Sequence, residues 1–194
     1  MILHETYSVP NVVISSIPVE EWLKDLIPPL IRSSTDQEQS LLCLASARTG
    51  NSGSTSSCPL SMVYAACVPL IPGYFSGVGD LFSALVLGHY TSAPADNDGS
   101  ASLPPSLPPL ARAVSFALTK THAVLCLTAT HASSLPPDER TTTDDELDQK
   151  DPERLIRRMR GRELRLVQGR KILSGEAMGE LRWLKGWVDF WGPN

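Results

Sequence analysis

Aromatic residues are scarce in this 194-residue chain, at 6% of the sequence, so a core must be built mainly from aliphatic side chains. None of the four cysteines, at positions 43, 58, 67 and 126, forms a CxxC pair. We expect reduced thiols of a cytosolic protein, with Cys126 in the core. The histidines at 4, 89, 122 and 131 lack metal-ligand spacing, and surface or core roles are expected for them.

Long uninterrupted apolar runs are also missing. The most apolar region, 60–90, is broken by Pro69, Pro72, glycines and Asp80, whereas a membrane span needs about 20 consecutive apolar residues. The N-terminus lacks the basic and apolar regions of a secretory signal. The net charge of −4 does not favour nucleic-acid binding. These absences predict a protein with no membrane or nucleic-acid partner, placed in the cytoplasm, with the nucleus as a second compartment.

An arginine-rich run occupies the segment 154–162, with arginines at 154, 157, 158, 160 and 162. It is interpreted as a solvated helix face that pairs with the acidic segment 144–153. A phosphate- or nucleic-acid-binding patch is the alternative, without interleaved aromatic residues to support it.

Alternating strand and helix patterns predict an α/β layered fold with a mixed sheet. Apolar, partly β-branched runs predict strands over 11–17, 41–47 and 61–71, and the alternation in "ELRLVQ" predicts another over 163–168. Helical spacing predicts helices over 19–27, 80–90, 110–132 and 151–161. The intervals 91–109 and 133–150 are predicted to be irregular, and the tail 174–194 has no assigned structure.

The stretch "GYFSGVGDLFSALVLGHY", residues 73–90, places a carboxylate between a glycine turn and an apolar helix. Gly77 and Gly79 allow backbone angles that other residues avoid and let a ligand approach the main chain. The first N–H groups of the helix lack intrahelical acceptors and attract anions, phosphate above all. Asp80 in the first turn could then act as a base toward a substrate hydroxyl. The alternative is an aspartate that only stabilises the helix dipole.

The segment "GVGDLFSALVLG" resembles the "GTGDLFAALLL" segment of pyridoxal kinases in the ribokinase-like superfamily. Four further segments resemble the family in the same order: "LHETYSVPNVVISSIP", the pair "LLCLASA" and "SMVYAACVPLIPGYF", "LARAVSFALTKTHAVLCLT", and "RELRLVQGRKIL". The resemblance implies a sheet with helices on both faces, over a C-terminal portion spanning 1–173. It also implies ATP-dependent phosphorylation of the 5′-hydroxyl of pyridoxal, pyridoxine or pyridoxamine, with Mg²⁺, and a homodimer for the full-length protein.

The resemblance also implies roles for single residues. Asp80 matches the catalytic base, which also contacts the substrate, and the backbone of 77–79 matches the anion hole. Ser16 matches a nucleotide-contacting hydroxyl, and Ser15 stands near a monovalent cation. The ATP-binding set that the resemblance implies is Ser16, Val68, Pro69, Leu70, Ile71, Val78 and Gly79.

Two departures from the family pattern leave alternatives open. Val78 replaces the usual threonine, and the resemblance begins in the middle of the family's chain, so the N-terminal half with most of the substrate pocket has no counterpart here. The chain is therefore expected to be the truncated C-terminal half of a kinase. A non-catalytic fragment that binds only nucleotide or a partner chain is the rival interpretation, and an unrelated α/β binding protein with a chance GxGD is the third.

Overall fold

The computed structural model describes residues 2–32, 39–49, 61–90, 107–137, 140 and 145–192. The elements in chain order are α1 (Ile2–Glu5), β1 (Asn11–Pro18), α2 (Glu21–Lys24), β2 (Ser40–Arg48), β3 (Ser61–Pro69), α3 (Val78–His89), α4 (Pro109–Ser134), α5 (Asp145–Lys150), α6 (Pro152–Met159), α7 (Arg170–Ser174) and β4 (Lys185–Gly186). They form two compact units, the first made of 1–70, 86–116 and 182–194, and the second of 71–85 and 117–181.

The first unit contains a four-stranded sheet in the order β1-β2-β3-β4. Its strands carry the β-branched and small apolar residues that favour a pleated, half-buried surface. The strands predicted over 11–17, 41–47 and 61–71 are confirmed, the last of them ending at Pro69. Every pair in this sheet is antiparallel, so the expectation of a mixed sheet is wrong for the described residues. The described strands β1, β2 and β3 form a meander in which each strand pairs with the next one along the chain, and each of these pairs is antiparallel.

The core of the first unit lies against one face of this sheet. Leu42 of β2 and Ala65 of β3 pack against apolar side chains from α2 and the turns that follow it. Those side chains recur every four residues, at Leu23, Ile27 and Ile31, which places them on one side of a helical or turning segment. The helix predicted over 19–27 is thus present but confined to Glu21–Lys24, because prolines at 28 and 29 follow.

The C-terminal segment completes the first unit. β4 pairs with β3 at Tyr64 and Ala65. Leu184 is buried, and its backbone N–H donates a 3.0 Å hydrogen bond to Ser115 Oγ. The indole N–H of Trp191 donates to the Ser61 carbonyl at 3.1 Å. Much of the tail that the sequence left unassigned is therefore an ordered part of this unit.

The second unit contains an ion-pair cluster between α5 and α6. Asp151 caps α6 by accepting from the Glu153 N–H at 3.1 Å, and Pro152 occupies the first turn of the helix. Asp148 of α5 accepts from Arg154 and from Arg158. The interval 133–150 was predicted to be irregular but contains helix α5. The Asp148 side chain of this helix is held by arginines of α6. The predicted pairing is present, but the arginine face is not wholly solvated, because Arg158 is 2% exposed.

The segment 163–168 does not form the predicted strand. Only Glu163 makes a β-bridge, parallel to Ser76, and the remaining residues turn, with the Gly169 N–H donating to the Arg165 carbonyl at 2.8 Å. Cβ at Gly169 would lie 3.0 Å from that same carbonyl oxygen. Gly169 permits this close turn because it has no side chain. The turn ends the extended conformation that the alternation of Leu164 and Leu166 indicates.

Helix α4 confirms the helix predicted over 110–132. By length and composition it is apolar enough to cross a membrane, and no other described helix is. Of its most apolar window, 61% is buried within the protein, which is also the pattern of a core helix. Cys126, expected in the core, is instead exposed, with Sγ 3.6 Å from His122 Nδ1 one turn earlier.

Candidate functional site

The glycine turn before α3 presents backbone donors without acceptors. Gly77 has φ of +80°, which glycine adopts without strain, and its carbonyl accepts from the Leu81 N–H at 3.0 Å. Within the described residues, no acceptor is found for the N–H groups of Val78, Gly79 or Asp80. Cβ atoms placed at Gly77 or Gly79 would meet no atom within 4 Å. The N-terminus of this twelve-residue helix is thus an open, positively polarised surface that an anion can approach.

The segment leading into the turn is held by residues that follow α6. The Ser76 N–H donates to the Arg162 carbonyl at 2.9 Å, and Ser76 forms the parallel bridge with Glu163. The Arg162 guanidinium lies 5.3 Å from the centre of the Tyr74 ring, a cation–π distance. These contacts fix the chain immediately before the donors, so the donors are positioned before a ligand arrives.

Asp80 lies in the first turn of α3 and is exposed. Its carboxylate makes no hydrogen bond or ion pair with the described residues. An unpartnered carboxylate one residue beyond the donor turn can accept a proton from a hydroxyl brought to that turn. The arrangement is therefore chemically suited to moving a proton next to a bound anion.

Ser15 and Ser16 form a β-bulge in β1. Ile14 pairs with Leu44 and Ile17 with Leu42, so two serines lie opposite Cys43 alone. Ser16 has φ of +60°, an uncommon angle for a residue with a side chain. Both serines are exposed. Bulges of this kind occur next to active sites, where they redirect a side chain.

The predicted ATP-binding segment 68–71 begins at the end of β3. Val68 is 8% exposed and belongs to the core, while Leu70 is 38% exposed. The Leu70 N–H donates to the Gln39 carbonyl at 2.7 Å, which holds the exit of the strand. Leu70 therefore offers apolar surface to a ligand, whereas Val68 mainly supports the sheet.

The predicted site residues are divided between the two units. Ile71 and 77–80 belong to the second unit, where the donor turn and the Asp80 carboxylate are brought together. Ser15, Ser16 and 68–70 belong to the first unit, where β1 and β3 are strands of one sheet. The roles predicted for all these residues stay predictions.

The predicted Mg²⁺ has no cluster of candidate ligands among the residues that the structure describes. No group of three or more His, Cys, Asp or Glu side chains is close enough to hold a metal ion there. Asp80 is a single oxygen-donor side chain, whereas Mg²⁺ has octahedral coordination, usually with substrate phosphates and water as further ligands.

Sequence reasoning missed the residues that hold the donor turn. Tyr74 and Arg162 lie 88 positions apart, and nothing in either local pattern indicates their contact. The bulge was also missed, although two serines that interrupt a β-branched run are a signal that could have indicated it.

Comparison with known proteins gives one relative in sequence and several in fold. A Schizosaccharomyces pombe protein named as a candidate pyridoxal kinase is 31% identical over 137 residues, which are 71% of this chain and 36% of the relative. Pyridoxal kinase from Leishmania donovani in complex with ADP and pyridoxamine has a TM-score of 0.51 at 19% identity, over 94% of this chain and 41% of that one. The same enzyme in complex with ADP gives 0.51 at 18% identity, with the same coverage.

No protein-family profile matches the chain. The chain spans about two fifths of the relatives' own length. The α/β fold of these kinases is therefore shared only over a part of their chain. The resemblance recognised from the glycine turn and its flanking segments is confirmed: this chain is similar to pyridoxal kinases, over less than half of their length.

Proposed function

We propose that this chain supplies the phosphoryl-transfer end of a pyridoxal kinase. The complete enzyme would transfer the γ-phosphoryl of ATP to the 5′-hydroxyl of pyridoxal, pyridoxine or pyridoxamine, in salvage of vitamin B6. The observation that carries the proposal is the N-terminus of α3, where unpaired N–H groups and the Asp80 carboxylate occur together. The sequence relationship to a kinase supports it.

In the proposed reaction, the N–H groups of 77–79 hold the oxygens of the transferred phosphoryl group. Asp80 accepts the proton of the 5′-hydroxyl as its oxygen forms the new bond to phosphorus. The bond from phosphorus to the bridging oxygen breaks, and ADP leaves with that electron pair. Replacement of the family's threonine by Val78 removes a hydroxyl but retains the backbone donor, so this step remains available.

Further contacts with the nucleotide are proposed for residues that the family resemblance implies. The Ser16 hydroxyl, exposed by the bulge, is proposed to contact ATP together with the apolar surface at Leu70. Ser15 is proposed to lie near a monovalent cation. Mg²⁺ is expected to arrive with ATP. Homodimerisation, residence in the cytoplasm and the absence of membrane contact are further parts of the proposal.

The rival function is nucleotide or partner binding without catalysis. The specific observation in its favour is coverage, because about three fifths of the relatives' length has no counterpart here. In the family pattern, the missing part carries most of the substrate pocket. The isolated 194-residue chain is therefore expected to bind nucleotide weakly and to lack turnover.

The test uses two measurements. Calorimetry of the folded chain with ADP at millimolar concentration should show binding, and no heat of binding would contradict the nucleotide site. Pyridoxal phosphate formation, followed by absorbance, should appear when the chain is joined to the missing part from a pyridoxal kinase and not before. Turnover by the isolated chain would show that no substrate pocket is missing.

A further inference from the structure

A cavity of about 270 Å³ lies over one face of the sheet in the first unit. Alternate residues of the three long strands form its floor, where Val12, Ser46 and Val63 are direct neighbours across β1, β2 and β3. Helix α1 and the C-terminal aromatic residues form its walls. Ten described residues line the cavity, and all of them except His4 and Ser46 are apolar or aromatic. The cavity is therefore an apolar site whose two polar residues lie together, in hydrogen-bond contact.

The cavity is larger than an ordinary packing void and opens to solvent. Protein interiors rarely contain voids larger than a water molecule, which occupies about 30 Å³. Leu3 and Ile14 line the cavity and are 46% and 48% exposed, so a ligand could enter beside them. An apolar cavity of about 150 Å³ holds benzene, whereas drug-sized ligands occupy pockets of about 300–1,000 Å³. The volume here therefore suits a molecule of one ring with a small substituent.

Two aromatic rings in the wall favour an aromatic ligand. The rings of Phe190 and Trp191 are nearly perpendicular, at 89°, with centroids 4.8 Å apart. The indole N–H of Trp191 donates to the Ser61 carbonyl, which fixes this ring. A third ring placed against the pair can make the edge-to-face or offset contacts that aromatic rings prefer.

The polar end of the cavity leaves one hydrogen-bonding position for a ligand. The Val9 carbonyl can only accept, so His4 Nδ1, 2.7 Å away, carries a proton and donates to it. His4 Nε2 lies 2.8 Å from Ser46 Oγ, which in turn is 2.8 Å from Ser61 Oγ. A hydroxyl has one proton and two lone pairs, so one lone pair of Ser46 remains whichever of these partners receives its proton. The described residues therefore offer a ligand one acceptor in this cavity.

We propose that this cavity binds a small uncharged phenol, whose ring fills the apolar space and whose hydroxyl donates a hydrogen bond to Ser46. Vitamin B6 compounds do not match it. Pyridoxine has three hydroxyl groups and a ring nitrogen, most of which would lose water without gaining a partner. The site consists of residues of the first unit alone, whereas Asp80 and the donor turn belong to the second. The inference is therefore independent of the proposed phosphoryl transfer.

The experiment titrates the 194-residue chain with 4-methylphenol at millimolar concentration and follows the labelled methyl groups of Val, Leu and Ile by NMR. The signals of Val12, Leu44 and Val63 should shift and show nuclear Overhauser effects to the ring protons of the ligand, whereas pyridoxine should not shift them. 4-Methylanisole, which has no hydroxyl proton, should bind at least about fivefold more weakly, because the Ser46 lone pair loses water without gaining a donor. Absence of shifts, equal affinity for the two compounds, or displacement of 4-methylphenol by pyridoxine would overturn the proposal.

Filling the cavity should remove the binding. Leu44→Trp places a larger side chain on the floor, in the volume that the ligand needs, and should weaken 4-methylphenol binding at least about tenfold. The matched control is Met62→Trp, because Met62 precedes Val63 in β3 and therefore lies on the opposite face of the sheet. This control should bind like the unsubstituted chain, and equal affinities of the two variants would contradict the site. If circular dichroism shows that Leu44→Trp does not fold, the Overhauser contacts of Val12 and Val63 in the unsubstituted chain decide the same question.

Discussion

The backbone N–H of Ser76 donates to the carbonyl of Arg162, joining the glycine turn to a segment 86 positions later at 2.9 Å. The Ser76–Glu163 bridge and the Tyr74–Arg162 contact lie beside it. The N–H donors of 78–80 therefore follow a fixed chain segment instead of a free loop. Donors that need no rearrangement are the kind that stabilise charge on a transferred group most effectively.

Replacement of the proposed base should affect turnover more than binding. In the chain joined to the missing kinase part, Asp80→Asn should lower kcat by about 10²–10⁴, because the shape is retained and the basicity is lost. Asp25→Asn, which removes another exposed carboxylate, is the control and should leave kcat unchanged. Pyridoxal phosphate formation is measured for both. More than about a tenth of the original turnover in Asp80→Asn would remove Asp80 from the role of base.

The two glycines of the turn should respond differently to alanine. At Gly79 there is room for a methyl group and φ is not positive, so Gly79→Ala should not lower the free energy of unfolding. The methyl group would still obstruct the donors. Loss of one charge-assisted hydrogen bond, about 1.5–3 kcal/mol, corresponds to roughly 10–150-fold weaker ADP binding. Calorimetry with ADP measures this, and unchanged affinity would contradict an anion site at the turn.

Gly77→Ala should instead destabilise the fold. Its φ of +80° would cost an alanine about 1–2 kcal/mol, although no atom lies within 4 Å of the added methyl group. Urea unfolding followed by circular dichroism compares this variant with Gly79→Ala. Equal stability of the two variants would show that the turn relaxes to a negative φ.

The Asp148 ion pairs should make stability depend on pH. Burial tends to raise the pKa of Asp148, but hydrogen bonds and charges from Arg154 and Arg158 outweigh it and lower the pKa. A lowered folded-state pKa stabilises the protein above the ordinary carboxyl pKa, and this contribution is lost as pH falls through the folded-state value. Asp148→Asn should therefore destabilise the protein at pH 7 and much less at about pH 2.

Urea midpoints across that pH range test this expectation, with Asp25→Asn as a control that removes no ion pair among the described residues. If the difference in free energy of unfolding between Asp148→Asn and the unsubstituted chain stays constant with pH, Arg154 and Arg158 do not lower the pKa of Asp148.

The cysteines should differ in reactivity. Burial raises the pKa of the Cys43 thiol to about 12, so only about one molecule in 10⁴ carries the reactive thiolate at pH 8. Cys126 is exposed. Brief iodoacetamide treatment followed by peptide mass spectrometry should find Cys126 modified and Cys43 modified only after unfolding. Modification of Cys43 in the folded protein at a rate similar to that of Cys126 would show that β2 opens readily.

The sequence predicted those elements whose pattern is local. The runs around Val12, Leu42 and Val63 form strands because β-branched and apolar side chains suit a pleated surface, and the glycine turn with Asp80 begins a helix as expected. Helix α5 was not predicted, because its Asp148 is fixed by Arg154 and Arg158 of the next helix. The strand over 163–168 was wrongly predicted, because alternation alone does not show whether a neighbouring strand exists.

The candidate site shows the same division. Local sequence places Asp80 beside the glycine turn, and its role as a base stays a prediction that the resemblance to a family implies. The left-handed Ser16 and the support of the turn by Arg162 depend on register and on contacts distant in sequence, which no local pattern records.

The hydrogen bond from Trp191 to Ser61 spans 130 positions of the chain. During synthesis on a ribosome, β1, β2 and β3 emerge long before the segment that closes their unit. At about 5–20 residues per second, the intervening chain takes roughly 6–26 seconds to appear. For that interval the sheet lacks β4, Leu184 and the terminal aromatic residues, so a chaperone that binds exposed apolar surface would have time to act. Completion of this unit therefore waits until the segment around Trp191 has emerged from the ribosome.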